Sequence, residues 1–336
     1  MDSITHIALG ACIGEVFLGK KLGKRAMLWG ALAQSAPDID FVASFWMDTA
    51  DDLLAHRGFT HSFLFAIIIT PLFALLADRW HRPHDTTLKR FMLFFGVEIF
   101  LHLFLDGFNN YGTGWLEPFT HQRFSFNAVY VADPLFSIWI VVGTLMMIFL
   151  KNDHRHRVKI VRYSISISCL YLMVCIINKV NIDRQVRHAF RQQNIPAKQY
   201  FTTPTALNNF LWYVVAGNDS GFYFGFRNIL EKTDSVHFTY FPRNEYLLDS
   251  VDDREEVAKL KRFSQGFYTV ERSNDTLVMN DLRFGQIIGW KDPNEKFVFH
   301  YFLDKKGNNE LVVQRGRLAK MDKDAVVAML RRIKGI

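Results

Sequence analysis

The chain is 336 residues long, enough for two domains, and its 32 phenylalanines crowd the first half. Its three cysteines, Cys12, Cys169 and Cys175, all lie in apolar runs, which excludes a disulfide framework and a thiolate zinc site. The net charge of +7 is scattered through loops and the C-terminal half rather than gathered in a patch, so no nucleic acid partner is expected.

Taken in order, six apolar segments fill the first half: Ile4 to Gly19, Ala26 to Met47 (interrupted by PDID), Ser62 to Ala77, Phe91 to Leu105, Pro134 to Leu150, and Tyr163 to Ile177. Most are near the short end of the spanning range of about 17 to 25 residues. The third, FLFAIIITPLFALLA, and the fifth, PLFSIWIVVGTLMMIFL, carry no charge and no polar face at helical period, unlike a helix of a soluble domain. The expected fold is an α-helical membrane domain of about six transmembrane helices over residues 1–180. The flank before the first segment is acidic (Asp2) and the basic cluster follows it, so this segment reads as an anchor rather than a cleavable signal.

Short basic loops stay cytoplasmic. Lys20, Lys21, Lys24 and Arg25 follow the first segment. Arg79, Arg82, Lys89 and Arg90 follow the third, and Lys151, Arg155, Arg157, Lys159 and Arg162 the fifth. The loops Asp48 to Thr60 and Gly107 to Asp133 hold only Arg57 and Arg123. This alternation places the N-terminus and everything after the sixth segment on the extracytoplasmic face of the inner membrane.

From Asn181 the pattern changes. NIDRQVRHAFRQQN reads as a helix leaving the membrane, and IPAKQYFTTPTALNNFLWYVV as the entry to a second domain, residues 181–336. GFYFGFRNI, VHFTYFP, GFYTVE, KFVFHYFLD and ELVVQRG read as strands, with a turn at Gly307 to Asn309. Helices are expected from about Asp249 to Phe263 and from Lys323 to Arg332, giving a soluble α+β domain with mainly antiparallel sheet.

The polar residues at the ends of the apolar segments carry the chemistry, because ionisable groups there are costly unless they pair, bind metal or react. Asp2 and His6 fall on one face of the first helix. Asp38 and Asp40 follow Pro37, and His56 and His61 precede the third segment. Glu98, His102 and Asp106 form a stripe at spacing four along the fourth. All of these approach one membrane face. Imidazole with carboxylate suits a divalent metal, most simply Zn²⁺, with Mn²⁺ as the alternative. Arg57 stands where it can hold an anionic oxygen, and Glu98 where it can orient a ligand; with Asp40 these are the candidate catalytic groups. His121 reads as a surface residue as readily as a ligand, and Asp133 before Pro134 as a helix start. His81, His84, His154 and His156 fall in the cytoplasmic loops.

DSITH (2–6), PDID (37–40), HRGFTHS (56–62) and HLFLDGFNNYG (102–112) resemble the YdjM-like inner-membrane proteins, described as LexA-binding, membrane-bound metal-dependent hydrolases. The resemblance covers about residues 1–180. It implies a metal-dependent hydrolase with ligands at His6, Asp38, Asp40, His56, His61, His102 and Asp106. The C-terminal half looks like an extension found in part of that family, in which Asn208, Trp212 and Arg283 either serve the fold or close over the site. The ligand order also resembles that of the zinc phospholipase C and P1-type nucleases, although the later histidines of that pattern are missing or displaced. These resemblances imply membrane lipids as surroundings and a phospholipid or other lipid-linked or envelope ester or phosphoester as substrate. The alternative is a non-enzymatic membrane protein with a structural metal site and a partner-binding outer domain. A transporter would need more buried polar groups than Glu15 and Glu98.

Overall fold

The computed structural model of the chain describes residues 1–81, 86–231, 236–274, 276–303 and 322–334. Its contacts form two units, Met1–Phe45 with Ala55–Ile176, and Trp46–Leu54 with Ile177–Ile336.

In the first unit every apolar segment nucleates a helix. Helix α1 (Ser3–Leu22) is capped by the Asp2 carboxylate, which accepts from Thr5 N–H at 3.0 Å. The basic turn closes at Gly23, whose φ of 56° is the left-handed conformation glycine adopts without strain, and α2 (Lys24–Ser35) runs back along α1. The two meet along Gly10, Gly14, Ala26 and Gly30: a Cβ on Gly10 would strike the Gly30 carbonyl, and one on Gly14 the Ala26 carbonyl. Small residues four apart allow this close backbone approach.

The expected segment from Ala26 to Met47 does not form as one helix. Pro37 cannot donate to the carbonyl one turn back, so α2 ends and the chain continues as a 3₁₀ segment, Pro37–Phe45. The 12 residues of α2 rise about 18 Å, short of a hydrocarbon core of about 30 Å. Helix α3 (Thr49–Ala55) and a 3₁₀ turn, Phe59–His61, lead to α4 (Phe63–Trp80) and then α5 (Leu88–Asp106). Helix α6 (Pro134–Phe149) starts at Asp133 as expected, the carboxylate accepting from Leu135 and Phe136 N–H. Helix α7 (Arg157–Gln192) is 36 residues long. Among the described residues α4 and α7 are long and apolar enough to cross a membrane, and α6 is apolar over a shorter length.

Contacts fix the two ends of this bundle. At one end Lys24 Nζ donates to Ile148 O, Arg90 Nη2 to Phe17 O, and Trp29 Nε1 to His81 Nε2. Glu15 there holds Arg157 through two hydrogen bonds of 2.8 and 2.7 Å, so it serves to anchor the start of α7 to α1. The opposite end gathers the start of α1, the end of α2, the start of α4, the end of α5 and the start of α6, where Thr5 Oγ1 meets Ser137 Oγ at 2.5 Å.

The second unit is built on two antiparallel sheets. One holds β1 (Gln199–Pro204), β2 (Leu211–Gly217), β3 (Gly221–Asn228) and β4 (Phe238–Pro242) in that order; the other holds β5 (Tyr268–Ser273), β6 (Thr276–Gln286) and β7 (Phe297–Leu303). Side chains alternate across a strand, so Tyr213 and Val215 of β2 join Phe222, Phe224, Leu282 and Phe297. Trp212, Val214 and Ala216 pack on Ile182, Val186 and Phe190 of α7. Strands β1, β2 and β6 were not among the expected ones. The expected helix from Asp249 divides into a 3₁₀ turn, Glu245–Ser250, and α8 (Arg254–Phe263), because Asp253 caps the latter through Glu256 N–H. The terminal helix, α9, spans Lys323–Lys334. The strand expected at ELVVQRG and the turn at Gly307 to Asn309 lie outside the described residues.

Candidate metal centre

Five helix ends and the 3₁₀ segment bring histidine and aspartate together at one end of the first unit. Spacing of four on α5 sets His102 and Asp106 on one face, both fully buried. The turn Phe59–His61 adds His61, and the 3₁₀ segment adds Asp38. One ligand atom from each of Asp38, His61, His102 and Asp106 lies within 4.8 Å of every other. His61 Nε2 is 3.1 Å from His102 Nε2, 3.6 Å from Asp38 Oδ1 and 3.3 Å from Asp106 Oδ2. His102 Nε2 is 3.5 Å from Asp38 Oδ1 and 3.9 Å from Asp106 Oδ2. A tetrahedral ion with bonds of about 2.0–2.1 Å separates its ligand atoms by about 3.3 Å, so these spacings match a metal-sized tetrahedron.

The hydrogen-bond logic points the same way. The Gln34 backbone carbonyl, 2.5 Å from His102 Nδ1, can only accept, so that nitrogen carries the hydrogen and Nε2 presents a lone pair. Burial holds His61 down to about 3, despite the neighbouring Asp38, so the ring is neutral. Thr60 Oγ1, which donates its own hydrogen to Asp40 Oδ2, is 3.1 Å from His61 Nδ1 and accepts the ring hydrogen there, leaving the Nε2 lone pair aimed at that of His102. Two nitrogen lone pairs and two carboxylate oxygens thus converge without a hydrogen between them, the arrangement a cation relieves.

The other expected residues surround this group. His6 stacks on His102 with ring centroids 3.8 Å apart and turns Nε2 to Asp106 Oδ1 at 3.1 Å, so it is a third nitrogen at the edge of the quartet. The Met1 amine also touches Asp106 Oδ1. Asp40 lies behind the quartet: its Oδ2 accepts from Arg57 N–H at 2.7 Å and lies 3.5 Å from the Nδ1 atoms of both His61 and His56. His56 is outside the quartet with its side chain 38% exposed, against the edge of Tyr111.

Arg57 does not face outward to receive an anion. Its Nε reaches Asp106 Oδ2 at 2.9 Å, Nη1 donates to Asn109 Oδ1 at 2.7 Å, Nη2 donates to the Met1 carbonyl, and the guanidinium lies over Tyr111. It is buried, with φ of 56°, a left-handed backbone that is strained for a side chain of this size. The loop from Gly107 to Asp133 holds it so: Gly114 N–H donates to Arg57 O, and Arg123 donates to His56 O. Glu98 sits a turn below His102 against Gly30, and neither carboxylate oxygen makes a hydrogen bond of normal geometry. His121 is paired with Glu117, and His81 belongs to the far end. Within the second unit, Asn208 caps its own loop, Trp212 is buried in β2 and Arg283 pairs with Asp281 at 2.6 Å.

Gln34 is the residue that sequence reasoning missed. Its Nε2 donates to Glu98 O at 2.8 Å, which fixes the amide so that Oε1 accepts from His6 Nδ1 at 3.1 Å, while its backbone carbonyl orients His102. One buried residue thus sets two imidazoles. The signal for it was an amide in the last turn of a helix that is apolar from Ala26 to Ala33, three residues before Pro37.

The family model described as YdjM inner membrane protein matches residues 1–182. The chain is 36% identical over 124 residues to the inner membrane protein YbcI of Escherichia coli (strain K12), covering 36% of this chain and 69% of that protein. It is 32% identical over 172 residues to a Bacillus subtilis (strain 168) protein named uncharacterized protein YfhP, covering 45% of this chain and half of that protein. No solved structure matches. The family model spans the whole of the helical unit that carries the quartet, and the chain belongs to the YdjM inner membrane protein family.

Proposed function

We propose that the chain is a membrane-embedded, metal-dependent hydrolase whose site lies at the extracytoplasmic face and acts on a phospholipid or another lipid-linked or envelope phosphoester. The observation that carries this reading is the convergence of the His61 and His102 lone pairs with Asp38 and Asp106 at the start of α4. That helix is 18 residues long, about 27 Å, and needs all of its length to cross the hydrocarbon core. His61, two residues before it, therefore sits at headgroup depth. In this reading all six apolar helices are embedded, α2 with its 3₁₀ continuation as a partial span. The basic residues Lys20, Lys21, Lys24 and Arg25, with those around Arg157, lie at the end opposite the quartet, which supports an extracytoplasmic site, N-terminus and C-terminal domain.

Asp38, His61, His102 and Asp106 would hold the ion, and the neutral imidazoles and tetrahedral spacing favour Zn²⁺ over Mn²⁺. Bound there, a divalent ion supplies a Lewis acid for the phosphoryl oxygen and lowers the pKa of water. Arg57 fixes the Asp106 carboxylate, and Asp40 with Gln34 fixes the three imidazoles. His56, partly exposed and set by Asp40 at Nδ1, is the group placed to exchange a proton between the site and solvent. Asp38, 21% exposed, marks the way in.

One observation favours a second reading, a structural metal in a non-enzymatic membrane protein: three of the four ligands are fully buried, as in closed four-ligand sites. Metal analysis of purified protein with hydrolysis assays on a phospholipid panel, for wild type and His102→Ala, separates the two. The hydrolase reading expects bound metal and turnover in the wild type and loss of both in His102→Ala. Bound metal without turnover across the panel selects the structural reading, and a metal-free protein whose function survives His61→Ala overturns both.

A further inference from the structure

The 3₁₀ segment Pro37–Phe45 has two sides. Asp38 and Asp40 turn into the site, and Pro37 and Ala43 are buried. Ile39, Phe41 and Phe45 turn out, 56%, 62% and 76% exposed, and Phe59 on the neighbouring turn is 45% exposed. Aromatic side chains this open beside a buried polar cluster call for a cover. The same apolar surface continues into α4, where Ile67 and Ile68 are 70% and 55% exposed on a helix long and apolar enough to span. In an inner membrane protein, lipid covers α4. Its first residue, Phe63, follows Phe59 by one turn of chain.

We propose that the edge formed by Ile39, Phe41, Phe45 and Phe59 is seated in the lipid leaflet beside the quartet, so that the entrance at Asp38 opens onto the bilayer and admits substrates presented by it. Aromatic residues settle at this depth, where a ring meets acyl chains while neighbouring polar groups stay wet. Asp38 is the one partly exposed member of the quartet, and its chain neighbour Ile39 belongs to the edge. A ligand reaching Asp38 therefore passes apolar side chains. A phosphoester with acyl chains fits both, its headgroup at the carboxylate and its chains in the leaflet. This substrate preference rests on the hydrolase reading above; the seating of the edge does not.

The test uses the full chain in phosphatidylethanolamine and phosphatidylglycerol vesicles, with a nitroxide at Phe41→Cys in a Cys169→Ser background, since Cys12 and Cys175 are buried. Collision with oxygen, which concentrates in lipid, is compared with collision with a water-soluble nickel chelate. Ile67→Cys serves as the lipid reference and Asp249→Cys as the water reference. The expected result is a ratio at Phe41 close to that at Ile67. A ratio close to that at Asp249 overturns the proposal, as does shielding from both reagents, which would mean that protein covers the edge. Metal content is measured on the same samples. A lipid-seated label on a metal-free protein supports the edge and defeats the hydrolase reading; a water-exposed label on a metal-loaded protein does the reverse. With both in place, Phe41→Ser with Phe45→Ser should lower turnover of a bilayer phospholipid at least tenfold, leaving metal content and turnover of a soluble short-chain phosphodiester unchanged.

Discussion

Replacing Gln34 by Met keeps the length and volume of the side chain and removes both of its hydrogen bonds. His6 Nδ1 loses its acceptor at 3.1 Å and the Glu98 carbonyl loses its donor at 2.8 Å, while the backbone carbonyl that orients His102 stays. The Glu98 carbonyl keeps its helical bond from His102 N–H, so one buried group, His6 Nδ1, is left unmet at a cost of about 1–3 kcal/mol where the site cannot relax, and metal-free Gln34→Met should lose about 2 kcal/mol. The effect on metal is separate. Removing the partner that sets a ligand's ring costs about 10- to 100-fold in affinity. Since His102 keeps its partner and His6 is at the edge of the quartet, the lower end, about tenfold, is expected. Chelator competition followed by elemental analysis gives the affinity, and thermal unfolding of the metal-free protein in detergent gives the stability. Wild-type affinity in a folded Gln34→Met protein would refute the reasoning, because the geometry would then be setting His6 by packing alone.

Three further changes test other parts of the structure. Asp40→Asn takes the negative charge from behind His61 and His56, and should weaken metal binding by about 10- to 100-fold in the same competition assay. Glu15→Gln leaves Arg157 buried beside a neutral amide, a loss of about 3–5 kcal/mol in thermal unfolding, with metal affinity unchanged because the pair is at the far end of the bundle. Gly30→Val drives a side chain into the Gly10 carbonyl and Glu98, so α1 and α2 must part; loss of metal together with a fall in thermal stability is expected, and metal binding at wild-type strength would show that the helix pair does not set the site.

The sequence made some parts of this protein legible and hid others for identifiable reasons. A carboxylate or imidazole within an apolar run stands out, and a spacing of four names a shared helix face, so Asp38, His61, His102 and Asp106 could be read directly. What orients them could not. The acceptor for His102 is a backbone carbonyl, which every residue carries, and the inward turn of Arg57 depends on a left-handed backbone that the loop Gly107 to Asp133 imposes from fifty residues away. Strand β2, LWYVVAG, is buried on both faces and therefore lacks the alternation that marks a half-exposed strand. Strand β6 hides for the opposite reason, since Asn280, Asp281 and Arg283 look like loop residues until Glu271 and the Asp281–Arg283 pair are seen to satisfy them.

The break at Pro37 joins these two kinds of information. An unbroken helix from Ala26 to Met47 would have placed Asp38 and Asp40 about 200° apart, one toward the bundle and one away. Ending α2 after Ser35 instead leaves the Gln34 carbonyl without an intrahelical donor, free to accept from His102, and lets the 3₁₀ segment deliver Asp38 to the quartet and Asp40 behind it. The same feature that shortens α2 as a span therefore supplies an orienting carbonyl, a ligand and a supporting carboxylate. Extending α2 by Pro37→Ala works against all three, and metal binding is where the change should register first.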